Sequence, residues 1–275
     1  KTEYPTGLSR MASRDFADMV ESQVVDDIKK VYCPDWHNRG LRDEAYYEAR
    51  VPEVPTMLLE LLSHQNFEDM KYAFDPEFKF TVARSIYKAA TKFIASINNI
   101  EDYEFTPLAP SHFAIDFNGD KINLSWRPTK DSLEPSVTTD GYILYTAIGN
   151  NGFNNGIYLE TNKYSMELHK DSIYRFKVTA VNRGGESFPT EILSASIASK
   201  EKGRVLIVNG FNRVSAPEFY EDSLIGGFID SKDPGVPYIR DISKTGSQTN
   251  FTKGSPYISN DQQGFGACEK NLEGQ

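Results

Sequence analysis

The sequence predicts a multi-domain chain: a partial α/β region over residues 1–100, an all-β sandwich over 107–200, and the start of a further module, also α/β, over 203–275. Three observations predict it. Apolar residues recur every three to four positions near the start of the chain, then every second position through its middle. Short continuous apolar runs stand at 54–60 and 205–208, as expected of strands buried on both faces of a parallel sheet.

In the first zone, Phe16, Val20, Val24, Ile28 and Val31 mark one face of a helix from about Arg10 to Tyr32. Asp75-Pro76-Glu77 announces a second helix, with a cap, a proline at the first helical position and an acid in the first turn. Its expected apolar stripe is Val82, Ile86, Ala90, Phe93 and Ile97. Between the helices, Val54-Pro55-Thr56-Met57-Leu58-Leu59-Glu60 reads as a buried strand, and helix, strand, helix is an α/β order. In the second zone, Ile122, Leu124 and Trp126 alternate, as do Tyr142, Leu144 and Thr146, and Tyr174, Phe176, Val178 and Ala180. Turn clusters at Asn118-Gly119-Asp120 and Asn150-Asn151-Gly152 separate these runs, which is the pattern of a small sandwich. Val205-Leu206-Ile207-Val208 opens the third zone as another buried-strand candidate, and the turn-rich sequence after it has weak periodicity. Linkers are expected at 98–110 and 199–203.

Composition narrows the function classes. The charge is 30 − 39 = −9, which argues against nucleic acid as partner, because phosphate recognition calls for a basic face. Hydrophobic content of 39% and charged content of 25% are those of a globular chain. No apolar run approaches the ~20 residues of a membrane-spanning helix. Cys33 and Cys268 are too few for a disulfide framework or a CxxC metal knuckle, and Cys268 reads as a quiet thiol. Four histidines, His37, His64, His112 and His169, have no mutual helical ligand spacing, so no self-sufficient metal site is expected. The opening at Lys1 without Met suggests a processed or truncated start.

Glu60 is the first candidate for chemistry. Ligand sites of open parallel sheets lie beyond the carboxyl ends of strands, and a carboxylate desolvated there gains the basicity of a general base. The structural alternative is a solvated strand end, or an ion pair with Arg39, Arg42 or Arg50. Glu60 to Asp69, preceded by Val54-Pro55, resembles the C-terminal signature of zinc-dependent N-acetylmuramoyl-L-alanine amidases, with Asn66 six residues and Asp69 nine residues after the glutamate. Arg39-Gly40-Leu41 resembles that family's Arg-Gly-aliphatic step, and the match covers about 9–97, the rear half of such a domain. The wording from Tyr46 through Asn66 also resembles multi-domain envelope proteins of Bacteroidota labelled xanthan lyase, although the catalytic-looking residues follow the amidase pattern and not that of a β-eliminating lyase.

The resemblance implies a metal-assisted hydrolysis in which Glu60 is general base and then proton donor. The family's zinc ligands would lie upstream of residue 9, so zinc is expected in the full-length protein and none in this chain. His64, Asn66 and Arg42 are secondary candidates for substrate contact or support. For Asn66, a helix cap is the stronger reading, and for His64 a loop hydrogen bond. Glu48 and Arg50 fit a surface ion pair.

In the β zone, Trp126, Tyr142, Leu168 with Tyr174 six residues later, then Val178, Ala180, Asn182, Gly185 and Ser187, resemble a fibronectin type III domain over about 107–198. The resemblance implies core and corner residues, with the Tyr174 hydroxyl tied back to backbone. Tyr145, Phe153 and Tyr158 offer an aromatic strip suited to sugar stacking, with core or incidental surface as the plainer alternative. In the third zone, Asn209-Gly210-Phe211-Asn212-Arg213 sits where a ligand loop would, but no glycine-rich phosphate loop accompanies it.

The expected protein is therefore an exported, cell-envelope hydrolase of the amide between N-acetylmuramic acid and the peptidoglycan stem peptide, found in the periplasm, at the outer membrane surface or outside the cell. The alternative is a non-catalytic surface protein that binds a polysaccharide and uses the amidase-like fold as scaffold. A true polysaccharide lyase is the third reading.

Overall fold

The computed structural model describes residues 2–44, 46–63, 66–208, 215–229, 232–233 and 235, and the backbone of 251–252 and 263–264. His64, the loop Asn209 to Arg213 and Cys268 lie outside the described residues. Two compact units divide the chain, 100–208 being one and 1–99 with 209–275 the other.

The first unit is built on helix α1 (Ala12–Val31), the short helices α2 (Tyr47–Arg50) and α3 (Phe67–Phe74), and helix α4 (Pro76–Ile97). α1 and α4 pack together over Val20, Val24, Ile28, Phe78, Val82 and Ala89, with Cys33 and Trp36 closing one end. As expected, Asp75 caps α4, its Oδ1 accepting from the Glu77 amide at 2.9 Å. The buried stripe of α4 differs from the expected one. It runs through Phe78, Val82, Ser85, Lys88, Ala89 and Phe93, while Ile97 is exposed. The helix is turned by about one position because Ser85 and Lys88 are drawn inward to Asp27 on α1.

The run 54–60 is not a strand. It crosses the helices as extended chain, with Met57, Leu59 and Leu61 half-buried against them and Val54 and Leu58 exposed. A strand requires a ladder partner, and none pairs with this run among the described residues. The same correction holds for 205–208, where the four side chains are 76–88% exposed and outside any strand. The N-terminal region thus has helices with mixed helix and strand content and no parallel sheet over 1–99 among the described residues.

The described residues 215–229 belong to the same compact unit as the N-terminal helices. Strands β9 (Phe219–Glu221) and β10 (Ile225–Phe228) pair antiparallel. They set Phe228 against Phe67 and Phe74 of α3, with ring centroids 5.4 and 4.8 Å apart. Strands β11 (Phe251–Thr252) and β12 (Gln263–Gly264) extend this sheet in the order β12-β11-β10-β9.

Cys33 is buried and disulfide-bonded, a single bridge and not the framework that two cysteines are too few to build.

The second unit is a sandwich of two antiparallel sheets. One is β1 (Ser111–Asn118), β2 (Lys121–Arg127) and β5 (Lys163–Glu167). The other runs β4 (Ile157–Leu159), β3 (Gly141–Ile148), β6 (Ile173–Asn182) and β7 (Gly185–Glu186), with β8 (Leu193–Ser196) also on β6. The alternation predicts the inward residues well: Ile122, Leu124, Trp126, Tyr142, Leu144, Tyr174, Phe176, Val178 and Ala180 form one core with Leu168, while Thr146, expected with them, stays half-buried outside it. The Tyr174 hydroxyl accepts from the His169 amide at 3.3 Å, the expected tie from ring to backbone. Asn182 donates to the Phe105 and Thr138 carbonyls at 2.8 and 3.1 Å, which fastens the incoming 100–110 segment to the sandwich.

Candidate functional site

Of the residues singled out around Glu60, Asn66 and Asp69 meet at the start of α3. Asn66 is the N-cap of α3, its Oδ1 accepting from the Asp69 amide at 3.2 Å. Asp69 reaches back in turn, and its Oδ2 accepts from the Ser63 amide at 2.9 Å. Both side chains are buried, so this reciprocal pair ties Ser63 to the start of the helix in the manner of a capping box.

Burial pushes the Asp69 carboxyl up to about 6, against the Ser63 hydrogen bond that lowers it and with a smaller upward push from Glu68. The folded state therefore holds this proton more tightly than the unfolded chain does. Stability from this group is full below about pH 4, falls as pH rises toward 6, and is then lower by roughly 3 kcal/mol. Asp69→Asn keeps an oxygen for the Ser63 amide and carries no charge. Its urea midpoint is expected to rise relative to wild type between pH 4 and pH 7, and a difference independent of pH would refute this account.

Glu60 itself is not buried. Its side chain is 57% exposed, and Oε2 lies 3.9 Å from Arg39 Nη1. The desolvation expected at a buried strand end is absent, because the run before it is an open extended segment. Of the ion-pair partners weighed for Glu60, the structure brings up Arg39. Asn38 and Gly40 hold that arginine's loop, the Gly40 amide donating to Asn38 Oδ1 at 2.6 Å. Glu21 on α1 accepts from both the Gly40 amide and the Asn38 side chain, yet burial first, and Asp18 second, keep its carboxyl above the usual range. Sequence reasoning missed Glu21. Its only signal is an acid beside Asp18 on the polar face of α1, and the loop it grips is seventeen or more residues away.

Arg42 is exposed in the loop that follows and does not join Arg39 at Glu60. Glu48 and Arg50 lie on α2; the Arg50 carbonyl accepts from Arg10 Nη1 at 3.3 Å, while Arg10 Nη2 stands 3.8 Å from Glu53. Among the described residues no group of three or more His, Cys, Asp or Glu could hold a metal ion, so this set does not fit a zinc centre. No described helix is long and apolar enough to cross a membrane.

The fibronectin type III family model matches residues 108–196. Residues 108–196 are a fibronectin type III domain. Among solved structures, similar chains include the twitchin kinase region of C. elegans, 21% identical over 36% of this chain and 18% of that one, with a TM-score of 0.31. The structure of FN3tt mut is 21% identical over 33% and 96% of the two chains, TM-score 0.28. The fn3 domain of human contactin 1 is 15% identical over 38% and 90%, TM-score 0.30. The chain thus spans under a fifth of the twitchin region. No curated protein matches the chain.

Proposed function

We propose that this chain is the rear part of an exported cell-envelope hydrolase that cleaves the amide between N-acetylmuramic acid and the peptidoglycan stem peptide, with Glu60 as its proton carrier. One observation carries the reading. Two positions of the amidase-like signature, Asn66 and Asp69, fasten Ser63 to the start of α3, while Glu60, three residues before Ser63 in sequence and paired with Arg39, is the one of the two signature acids that is open to solvent. Asn66 and Asp69 are spent on holding the loop, so the division of labour is one chemical group on a stapled support.

In this role Glu60 accepts a proton from the attacking water and passes it to the departing amine. Arg39 at 3.9 Å is placed to hold the carboxylate in position. The reading assigns the zinc ligands to residues outside this sequence, since those described do not make a zinc site. The Cys33 disulfide is in keeping with an oxidising compartment and hence with export.

The test uses the complete protein. Glu60→Gln is expected to abolish release of stem peptide from muropeptides while zinc content is unchanged, and unaltered turnover would sink the assignment. The Arg39 ion pair favours one rival, a polysaccharide-binding protein in which the amidase-like region is scaffold and Glu60 only anchors Arg39. On that reading Glu60→Gln changes stability and no turnover exists to lose.

A further inference from the structure

The outer face of the β4-β3-β6-β7 sheet, turned away from the sandwich core, carries aromatic rings laid on glycines beside two cations. The register places Tyr158 opposite Ile143, Tyr145 opposite Lys177, and Ala147 opposite Arg175. Tyr158 is 57% exposed. Its ring covers Gly141, where a Cβ would fall 2.5 Å from Oη and 2.6 Å from Cε2 and Cζ. Its hydroxyl donates to the Asp140 carbonyl at 3.4 Å. The ring is thus seated over Gly141 and stays more than half exposed. Gly156, at φ +75°, leaves room in the same way: a Cβ there would meet Ile143 Cγ2 at 2.3 Å and Tyr145 Cε1 at 3.0 Å.

The cations are held against the neighbouring rings. Lys177 Nζ stands 5.0 Å from the Tyr145 ring centroid and 4.8 Å from that of Phe153. Arg175 Cζ lies 5.8 Å from the same Phe153 ring, and its Nη2 donates to the Asn151 carbonyl at 2.7 Å. The acid on this face, Glu186, is engaged, its Oε1 accepting from Tyr145 Oη at 2.6 Å and Thr179 Oγ1 at 2.7 Å. On a chain of net charge −9, Lys177 and Arg175 here outnumber the Glu186 carboxylate two to one, next to an exposed ring.

An exposed ring face offers stacking to the C–H face of a pyranose, and a paired guanidinium and ammonium complement a carboxylate. A polymer that repeats both features fits both parts at once. We propose that this face of the fibronectin type III domain binds an acidic polysaccharide, stacking a sugar on Tyr158 and pairing a sugar carboxylate with Lys177 and Arg175. Tyr158 and Lys177 stand two strands apart and two residues offset along them, about 12 Å, within the span of successive sugars. The inference does not rest on the amidase reading, because every residue in it lies within 100–208.

The test is native gel electrophoresis of the full chain with polygalacturonate, dextran or neither cast into the gel. Polygalacturonate is expected to retard the chain in a salt-sensitive way, and dextran to leave it unmoved. Tyr158→Ala and Lys177→Gln should each weaken retardation at least fivefold, whereas Tyr158→Phe, which keeps the ring, retains it. Lys163→Gln removes an equal charge from the opposite sheet and should change nothing. The proposal is overturned if there is no retardation, if Lys163→Gln matches Lys177→Gln, or if Tyr158→Ala and Tyr158→Phe behave alike. Competition by oligothymidylate stronger than by oligogalacturonate would also overturn it, since rings with cations on a groove serve single-stranded nucleic acid as well.

Discussion

Replacing Lys88 by Met is expected to lower the unfolding free energy of the helical unit by about 3–5 kcal/mol. Lys88 and Asp27 are both 0% exposed, and Nζ lies 2.9 Å from Oδ2. That one oxygen also accepts from Ser85 Oγ at 2.7 Å and Gln23 Nε2 at 3.0 Å, while Oδ1 has no hydrogen-bond partner among the described residues. Removing the ammonium leaves a carboxylate buried with only neutral donors, which is where the large cost originates. The double replacement Lys88→Met with Asp27→Leu deletes both charges and should return to within about 1 kcal/mol of wild type, or exceed it. The chain has two tryptophans, Trp36 in the helical unit and Trp126 in the sandwich, so urea unfolding followed by fluorescence in a Trp126→Phe background reads Trp36 alone. Equal losses in the single and double variants would show that volume, not charge, sets the effect.

That ion pair also explains where the sequence could and could not be read. Period-two alternation gave the sandwich core because each sheet has one wet and one dry face, and a residue's parity alone decides which it meets. Helix α1 was legible for the same reason at period 3.6, except at Val31, which is exposed at the end of the helix. On α4 the apolar template slipped by one position, since it counts Ser85 and Lys88 as outward and has no knowledge of Asp27 fifty-eight and more residues earlier. The runs 54–60 and 205–208 were misread as strands because a continuous apolar stretch states a preference for burial and not a partner. Met57 and Leu59 find their burial against helices.

The candidate site divides along similar lines. Asn66 was legible as a cap because capping is local, set by a side chain and an amide three residues apart. The ion pair of Arg39 with Glu60 was one of three open choices, and Glu21's grip on 38–40 was invisible, since both depend on how distant segments meet. In the sandwich, Tyr158 was visible as an aromatic residue, but its bed on Gly141 follows only once strands β3 and β4 are in register.

In that sandwich, Trp126→Ala is expected to cost about 3–5 kcal/mol, and Trp126→Phe much less than the lost ring area alone implies. Trp126 is buried between the sheets, 5.4 Å from the Tyr142 ring and 6.2 Å from that of Phe113. Alanine leaves a cavity that these neighbours, fixed on two strands, cannot collapse into. The indole Nε1–H, however, is buried and meets no acceptor among the described residues. An unmet donor costs about 1–3 kcal/mol, and phenylalanine removes it together with the second ring, so the gain offsets much of the lost packing. The backbone of residue 126 keeps its place in either variant, because its amide donates to the Asn162 carbonyl at 3.1 Å and its carbonyl accepts from Asn162 Nδ2 at 3.0 Å. Hydrogen exchange of the β6 amides Phe176 to Ala180 measures the sandwich without relying on the tryptophan. Protection should fall by two orders of magnitude or more in Trp126→Ala, in line with that cost, and by tenfold or less in Trp126→Phe. Equal losses would mean that the indole nitrogen is satisfied in solution and that volume alone governs this position.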